Sequence, residues 1–145
     1  MHKAVAIDPG ISKCGIVVAD IKNKKVCRAQ VIQSKNLLTV AEKIYKSENK
    51  TQFLIGNGTS SKKYVNDLCD LVPNLLIVEE KNSTFRAKQR YFEIFPLRGF
   101  KSYLPREIFI LNKNLDALAA LVIMEDYYQY KFKMSELIST KTWLK

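Results

Sequence analysis

Ala4-Val5-Ala6-Ile7-Asp8-Pro9-Gly10-Ile11-Ser12-Lys13-Cys14-Gly15-Ile16-Val17-Val18-Ala19 is the stretch on which the fold turns. A short apolar run ends at a carboxylate, Asp8. Pro9 then presets φ, and Gly10 permits the reversed position of a type II turn. Gly15–Ala19 returns as a second β-rich run, and Val26–Ile32 follows across the turn Lys22-Asn23-Lys24-Lys25. Three strands joined this closely make an antiparallel meander. The period then changes, and Leu37, Val40, Ala41, Ile44 and Tyr45 fall at helical spacing. Phe53–Ile55 reads as a strand, Ser61 to Leu71 as a helix, and Leu75–Val78 as a continuous apolar strand after Pro73-Asn74. Ser83 is placed to cap a third helix, Thr84 to Ile94, which Pro96 stops. Leu115–Tyr130 forms a last, strongly apolar helix. Such an order describes a mixed sheet sandwiched by helices, an α/β layered domain.

The 145 residues, +10 net charge and three cysteines bound what this domain can be. That length is expected to form one domain over residues 1–145, with 131–145 a C-terminal tail whose Phe132, Leu137, Ile138 and Trp143 are able to dock on the body. The longest apolar stretch, Ala117–Met124, is far short of the roughly 18 residues a membrane span needs, and no secretory signal is visible. Cys14, Cys27 and Cys69 are far apart and odd in number, which fits a reducing, cytoplasmic setting without disulfides or zinc. Excess positive charge on a small domain points to a polyanion, most simply nucleic acid.

That charge is concentrated. Residues 81–106 hold Lys81, Arg86, Lys88, Arg90, Arg98, Lys101 and Arg106 against the single acid Glu93. Six rings are interleaved: Phe85, Tyr91, Phe92, Phe95, Phe100 and Tyr103. Guanidinium forks beside flat rings are the composition of a nucleic-acid surface. We read the rings as core-facing, with Tyr91, Ile94 and Phe95 lining one side of a helix, and the arginines as contacts to phosphate.

Four acids stand out against this basic background. Asp8 ends the first strand, and Glu79 and Glu80 close the strand Leu75–Val78. Ligands of open α/β sheets gather at the strands' carboxyl ends, so these acids are expected to share an edge. Asp116 heads the stripe Asp116, Ala119, Ala120, Ile123, Tyr127, where a carboxylate needs a partner because unpaired buried charge is expensive. Singly, each acid has a plainer role: Asp8 favours its turn, one of Glu79 and Glu80 faces solvent, and Asp116 complements a helix dipole. Jointly, acids from two strand ends and one helix make a site for a hard divalent cation.

Asp8-Pro9-Gly10-Ile11-Ser12-Lys13-Cys14-Gly15 resembles the Asp-x-Gly-x-x-x-x-Gly strand and turn of the RuvC/YqgF group of RNase H-like nucleases. Val78-Glu79-Glu80-Lys81-Asn82-Ser83-Thr84, followed by Ala87, resembles that group's acidic pair before a Ser/Thr-rich helix start. Lys113-Asn114-Leu115-Asp116-Ala117-Leu118-Ala119-Ala120 is similar to its closing helix. The three motifs run in family order over residues 4 to 130. The resemblance implies an RNase H-like five-stranded mixed sheet with helices on both faces. It also implies a nuclease whose catalytic and metal-binding acids are Asp8, Glu80 and Asp116, holding one or two Mg²⁺ or Mn²⁺ ions. Of the acidic pair, it selects Glu80. Departures are Ile11 where Ser or Thr is usual, and Gly56-Asn57-Gly58-Thr59 in place of a Gly-Leu-Pro-like turn. Ala119 stands where RuvC resolvases carry a fourth acid, and Asn57 where their central acid lies, so the layout is YqgF-like.

The chemistry expected is metal-assisted, in-line phosphodiester hydrolysis, which requires no catalytic histidine; His2 is the only one. Ser12 and Lys13 are expected at the scissile phosphate, and Arg86 and Arg90, one helical turn apart, at flanking phosphates. Lys81, Lys88, Arg98 and Lys101 extend that surface. The expected partner is branched DNA, as for a Holliday junction resolvase, or structured RNA, as for processing of precursor 16S ribosomal RNA. A resolvase would be a homodimer, for which Phe100, Tyr103, Leu104 and Trp143 are candidate interface residues. Two rivals are a non-catalytic nucleic-acid-binding module and an actin-like ATPase or phosphotransferase. The second normally closes two such domains on a nucleotide.

Overall fold

Alternation along β1 (Lys3–Asp8) sorts the molecule into two cores. Successive strand residues face opposite sides, so Ala4 and Ala6 enter one core while Val5 and Ile7 enter the other. β2 (Lys13–Asp20) and β3 (Lys25–Gln33) continue the antiparallel meander. β4 (Gln52–Gly56) and β5 (Leu75–Val78) add in parallel beyond β1, each after a helical crossover. The computed structural model describes residues 2–48, 50–110 and 115–135.

α1 (Leu37–Ser47) and α2 (Lys62–Leu71) cover one face, burying Leu37, Ala41, Ile44, Tyr64 and Leu68 against Val5, Ile7, Ile16, Phe53 and Ile55. The opposite face receives α4 (Asp116–Tyr128), over which α3 (Ser83–Ile94) packs in turn. Residues Ala117–Glu125 are buried without interruption, because the sheet lies on one side of α4 and α3 on another. Alanines at positions 4, 6, 19 and 29 on the sheet let this helix approach closely. Among the described residues no helix is long and apolar enough to cross a membrane.

The fold is α/β with helices on both faces of a mixed sheet, as expected, with four departures. The sheet has six strands among the described residues, in the order β5-β4-β1-β2-β3-β6, rather than five. The addition is β6 (Lys133–Met134), which pairs in parallel with Lys25 and Val26, so the beginning of the expected tail belongs to the body. Phe132 anchors it in the core; Leu137, Ile138 and Trp143 lie outside the described residues. β5 is an edge strand, not a buried one: Ile77 is 55% exposed. Ser83 does not cap α3 but begins it, and the flanking Asn82 takes a left-handed conformation with φ of 55°. α4 stops at Tyr128, where Gln129 turns left-handed and closes the helix through its N–H to the Glu125 carbonyl.

The arginines of α3 are the larger correction. Arg90 Nη2 and Nε donate to the buried carboxylate of Glu125, Nη1 reaches Glu93, and Nη2 also meets the Phe132 carbonyl. Glu125 accepts the Phe132 N–H as well, so the pair fastens α3, α4 and the segment before β6 together. Arg86 forms a bidentate pair with Asp126. Neither guanidinium is the free phosphate grip that helical spacing suggested, because acids about 35 to 40 residues later in the chain arrive beside them. Burial raises the Glu125 carboxyl above its ordinary range despite Arg90's opposing pull. Arg90→Ala leaves that carboxylate buried and unpaired, and urea denaturation should show a loss of about 3 kcal/mol. Arg86→Ala breaks a half-exposed pair, with an expected cost of at most about 1 kcal/mol. Equal effects for the two would refute this ranking.

Candidate active site

β1 delivers Asp8 to the carboxyl edge of the sheet, opposite Gly15 of β2 in the antiparallel register. The turn between them is pinned from outside the hairpin. The Gly10 carbonyl accepts the Ser34 hydroxyl at 2.9 Å and the Tyr64 hydroxyl at 3.5 Å, while the Ser34 N–H donates to the Ser12 carbonyl. Cys14 Sγ sits 3.3 Å from Ser34 Oγ, in the same buried knot. Ser34, Tyr64 and Cys14 carried no sequence signal for this role, since they come from three separate elements. The pinned turn leaves Ser12 and Lys13 exposed on its outer rim, with Ile11 beside them.

Glu80 reaches Asp8 by an indirect route. β5 is separated from β1 by β4, so an acid following β5 must pass over the end of β4. Glycines make the passage. A Cβ on Gly56 would lie 2.0 Å from Glu80 Oε1, and one on Gly58 would lie 3.2 Å from Oε2. In sequence, Gly56-Asn57-Gly58 looked only like a departure from a family turn; in space it is the floor beneath this carboxylate. Glu79 points outward, its carboxylate 3.9 Å from Lys81 Nζ. Gly56→Ala therefore displaces a side chain rather than backbone. The fold should survive with wild-type circular dichroism, while any activity requiring the Asp8–Glu80 contact falls at least tenfold, or roughly 1.4 kcal/mol of barrier. Unchanged activity would mean that this placement of Glu80 is not needed.

The two carboxyls share a hydrogen bond, and the Asp8 pKa is pushed up to about 8. Burial is the main cause, followed by the charge of Glu80, their mutual hydrogen bond and the charge of Asp116. Glu80 Oε1 is buried with no hydrogen-bond partner among the described residues. A proton held between the pair relieves this, and so would a cation. Asp116 enters from above, at the first position of α4. Its carbonyl oxygen would lie only 1.9 Å from a Cβ on Gly15. Among the described residues, no three His, Cys, Asp or Glu side chains form a ready-made metal cage. The site is thus an acidic pair with a third acid near enough to be felt. Hard oxygen donors, one of them orphaned, suit Mg²⁺ or Mn²⁺.

The basic residues divide in two. Lys81, Lys88, Arg98 and Lys101 are exposed, whereas Arg86 and Arg90 are drawn into the contact between α3 and α4. The rings divide as well. Tyr91, Phe92, Ile94 and Phe95 pack on the core as expected, but Phe85, Phe100 and Tyr103 project into solvent and are not core residues.

Sheet order and helix placement are those of an RNase H-like α/β fold. Comparison with known proteins narrows this further. No family model and no curated protein matches the chain by sequence. Among solved structures, Thermus thermophilus RuvC in complex with a Holliday junction substrate superposes with a TM-score of 0.50 at 13% identity, covering 89% of this chain and 95% of that one. A second Thermus thermophilus RuvC structure gives a TM-score of 0.50 at 10% identity over 88% and 94%. The chain has a RuvC-like fold.

Proposed function

We propose that this domain is a divalent-metal-dependent endonuclease selecting branched nucleic acid, with Holliday junctions as its leading substrate. The observation carrying this reading is the buried contact of Asp8 with Glu80, left short of a counter-charge at the carboxyl edge of a RuvC-like sheet. Asp8 and Glu80, joined by Asp116, would hold one or two Mg²⁺ or Mn²⁺ ions, which supply Lewis acidity for phosphodiester hydrolysis when bound. The chain's own residues perform the rest. Gly56 and Gly58 give Glu80 room, and Ser34 and Tyr64 fix the turn that carries Asp8. Ser12 and Lys13 on the turn's rim meet the phosphate to be cut, and Lys81 and Lys88 meet the backbone on either side. Contacts of this kind carry no base information, so selection is by shape.

The test supplies Mg²⁺ or Mn²⁺ with a four-way DNA junction, a nicked duplex and a structured precursor RNA. Symmetric nicks on opposing junction arms are the expected product, and they would require a homodimer. Cleavage of the RNA alone would redirect the reading to ribosomal RNA processing, and binding without cleavage would leave a binding module. Affinity should fall steeply with salt, the slope of log K against log salt approaching −0.9 for each phosphate neutralised. A flat dependence would overturn the basic surface.

A further inference from the structure

The connection from α3 to α4 carries two rings that neither the core nor the acidic site accounts for. Phe100 is 78% and Tyr103 87% exposed. Both lie on the 3-10 turn Gly99–Tyr103, where side chains three residues apart eclipse one another. At about 2.0 Å rise per residue, the two rings leave the same edge of the turn about 6 Å apart. Among the described residues neither ring has an aromatic neighbour; the ring contacts of this region belong to Tyr91, Phe92 and Phe95.

Charge lies at and before the turn. Arg98 and Lys101 are also three residues apart, both are exposed, and no acid among the described residues pairs with either. The turn is internally braced by the Ser102 hydroxyl donating to the Gly99 carbonyl at 2.7 Å and the Leu104 N–H donating to Lys101. Arg106 lies over the Phe92 ring, 5.4 Å from its centroid, tying the end of the connection to α3. A braced turn with two bare rings and two exposed cations, neither paired with an acid among the described residues, matches the chemistry of an unstacked nucleotide, a flat face beside an anionic backbone.

We propose that the turn Gly99–Tyr103 is a stacking platform for unpaired bases, with Phe100 and Tyr103 holding the base and Arg98 and Lys101 its backbone. This deepens the nuclease reading by naming single-stranded or splayed nucleotides, as found at branch points, as the feature recognised outside the acidic site.

Binding is measured in EDTA, so cleavage plays no part, using a single-stranded oligonucleotide carrying 2-aminopurine and the matching perfect duplex. Stacking should quench the fluorophore on the single strand. Phe100→Ala and Tyr103→Ala should each weaken single-strand binding about tenfold and duplex binding less than about twofold. Phe100→Trp should retain both quench and affinity, whereas Phe100→Leu, apolar without a π-face, should lose them. Lys101→Gln should weaken both forms and lower the salt slope by about one. Equal losses on duplex and single strand, or wild-type behaviour of Phe100→Leu, would overturn the platform. So would light scattering in which the ring variants convert a dimer to a monomer, because the rings would then cover a second copy. Ring-dependent quenching by a wild-type protein that cleaves nothing in Mg²⁺ would sink the nuclease reading and leave the platform standing.

Discussion

Asp8→Asn is expected to abolish metal-dependent cleavage and, without metal at alkaline pH, to make the protein more stable. The first effect follows from losing one of two carboxylates in direct contact. A cation held by this pair is worth several kcal/mol to the barrier, so the rate should fall by about 10³ or more. The second follows from the pair itself. An Asp8 carboxyl whose pKa is pushed up from 3.8 to about 8 binds its proton more tightly in the folded chain than in the unfolded one. Its contribution to stability is therefore fully present below about pH 4 and lost as pH rises through about 8. An asparagine amide carries no charge to repel Glu80 at any pH, so the variant keeps what wild type loses as Asp8 ionises. Melting temperatures in EDTA should converge near pH 4 and separate as pH rises, with the variant higher above pH 8. Adding Mg²⁺ at that pH should raise the wild type and leave the variant unmoved. Cleavage by the variant at the wild-type rate would remove Asp8 from the site, and a melting gap independent of pH would refute the shared proton.

Gly15→Ala is expected to be the most damaging exchange in the scaffold. The added Cβ would meet the Asp116 carbonyl oxygen at 1.9 Å, its carbon at 2.1 Å and the Ala117 nitrogen at 2.6 Å. All three are backbone atoms, so no rotamer change relieves the overlap. Either the start of α4 lifts from the sheet or β2 bends away from it. α4 is the most thoroughly buried helix, touching β1, β2, β3 and β4, and its displacement opens the core on that whole face. A loss of about 4–5 kcal/mol, at the upper end for single substitutions, is the expected result of chemical denaturation. Any protein that still folds should lose activity beyond its loss of stability, because Asp116 moves with the helix. A variant within about 1 kcal/mol of wild type would show that α4 is not held against Gly15. The contrast with Gly56 is informative, since the same added methyl there meets the movable end of Glu80.

Local chemistry made much of this molecule legible. Asp8-Pro9-Gly10 between two apolar runs specifies a strand, a turn and a returning strand, and the hydrophobic period gives the helices within a residue or two. Asp8 stands out because it ends a strand, Glu79 and Glu80 because they follow one and Asp116 because it opens a helix, while the preference for Glu80 comes from the family resemblance. Less could be read where an outcome depends on partners remote in sequence. Leu75–Val78 is apolar enough for a central strand, yet it lies at the edge, because among the described residues no further strand adds beyond it. Ser83 looked like a cap, but the chain takes its left-handed turn one residue earlier, at Asn82.

The sequence by itself determined the meander, the layered α/β class and the apolar last helix. These follow from turn chemistry and periodicity, which act over a few residues. Only the tertiary structure decided which charges remain free. It spends Arg86 and Arg90 on Asp126 and Glu125, and it leaves Arg98, Lys101, Phe100 and Tyr103 in solvent. It also carries Glu80 across Gly56 to Asp8. Coulomb attraction and desolvation act through space, so what a charged or aromatic side chain does is fixed by neighbours that the linear chain keeps far away.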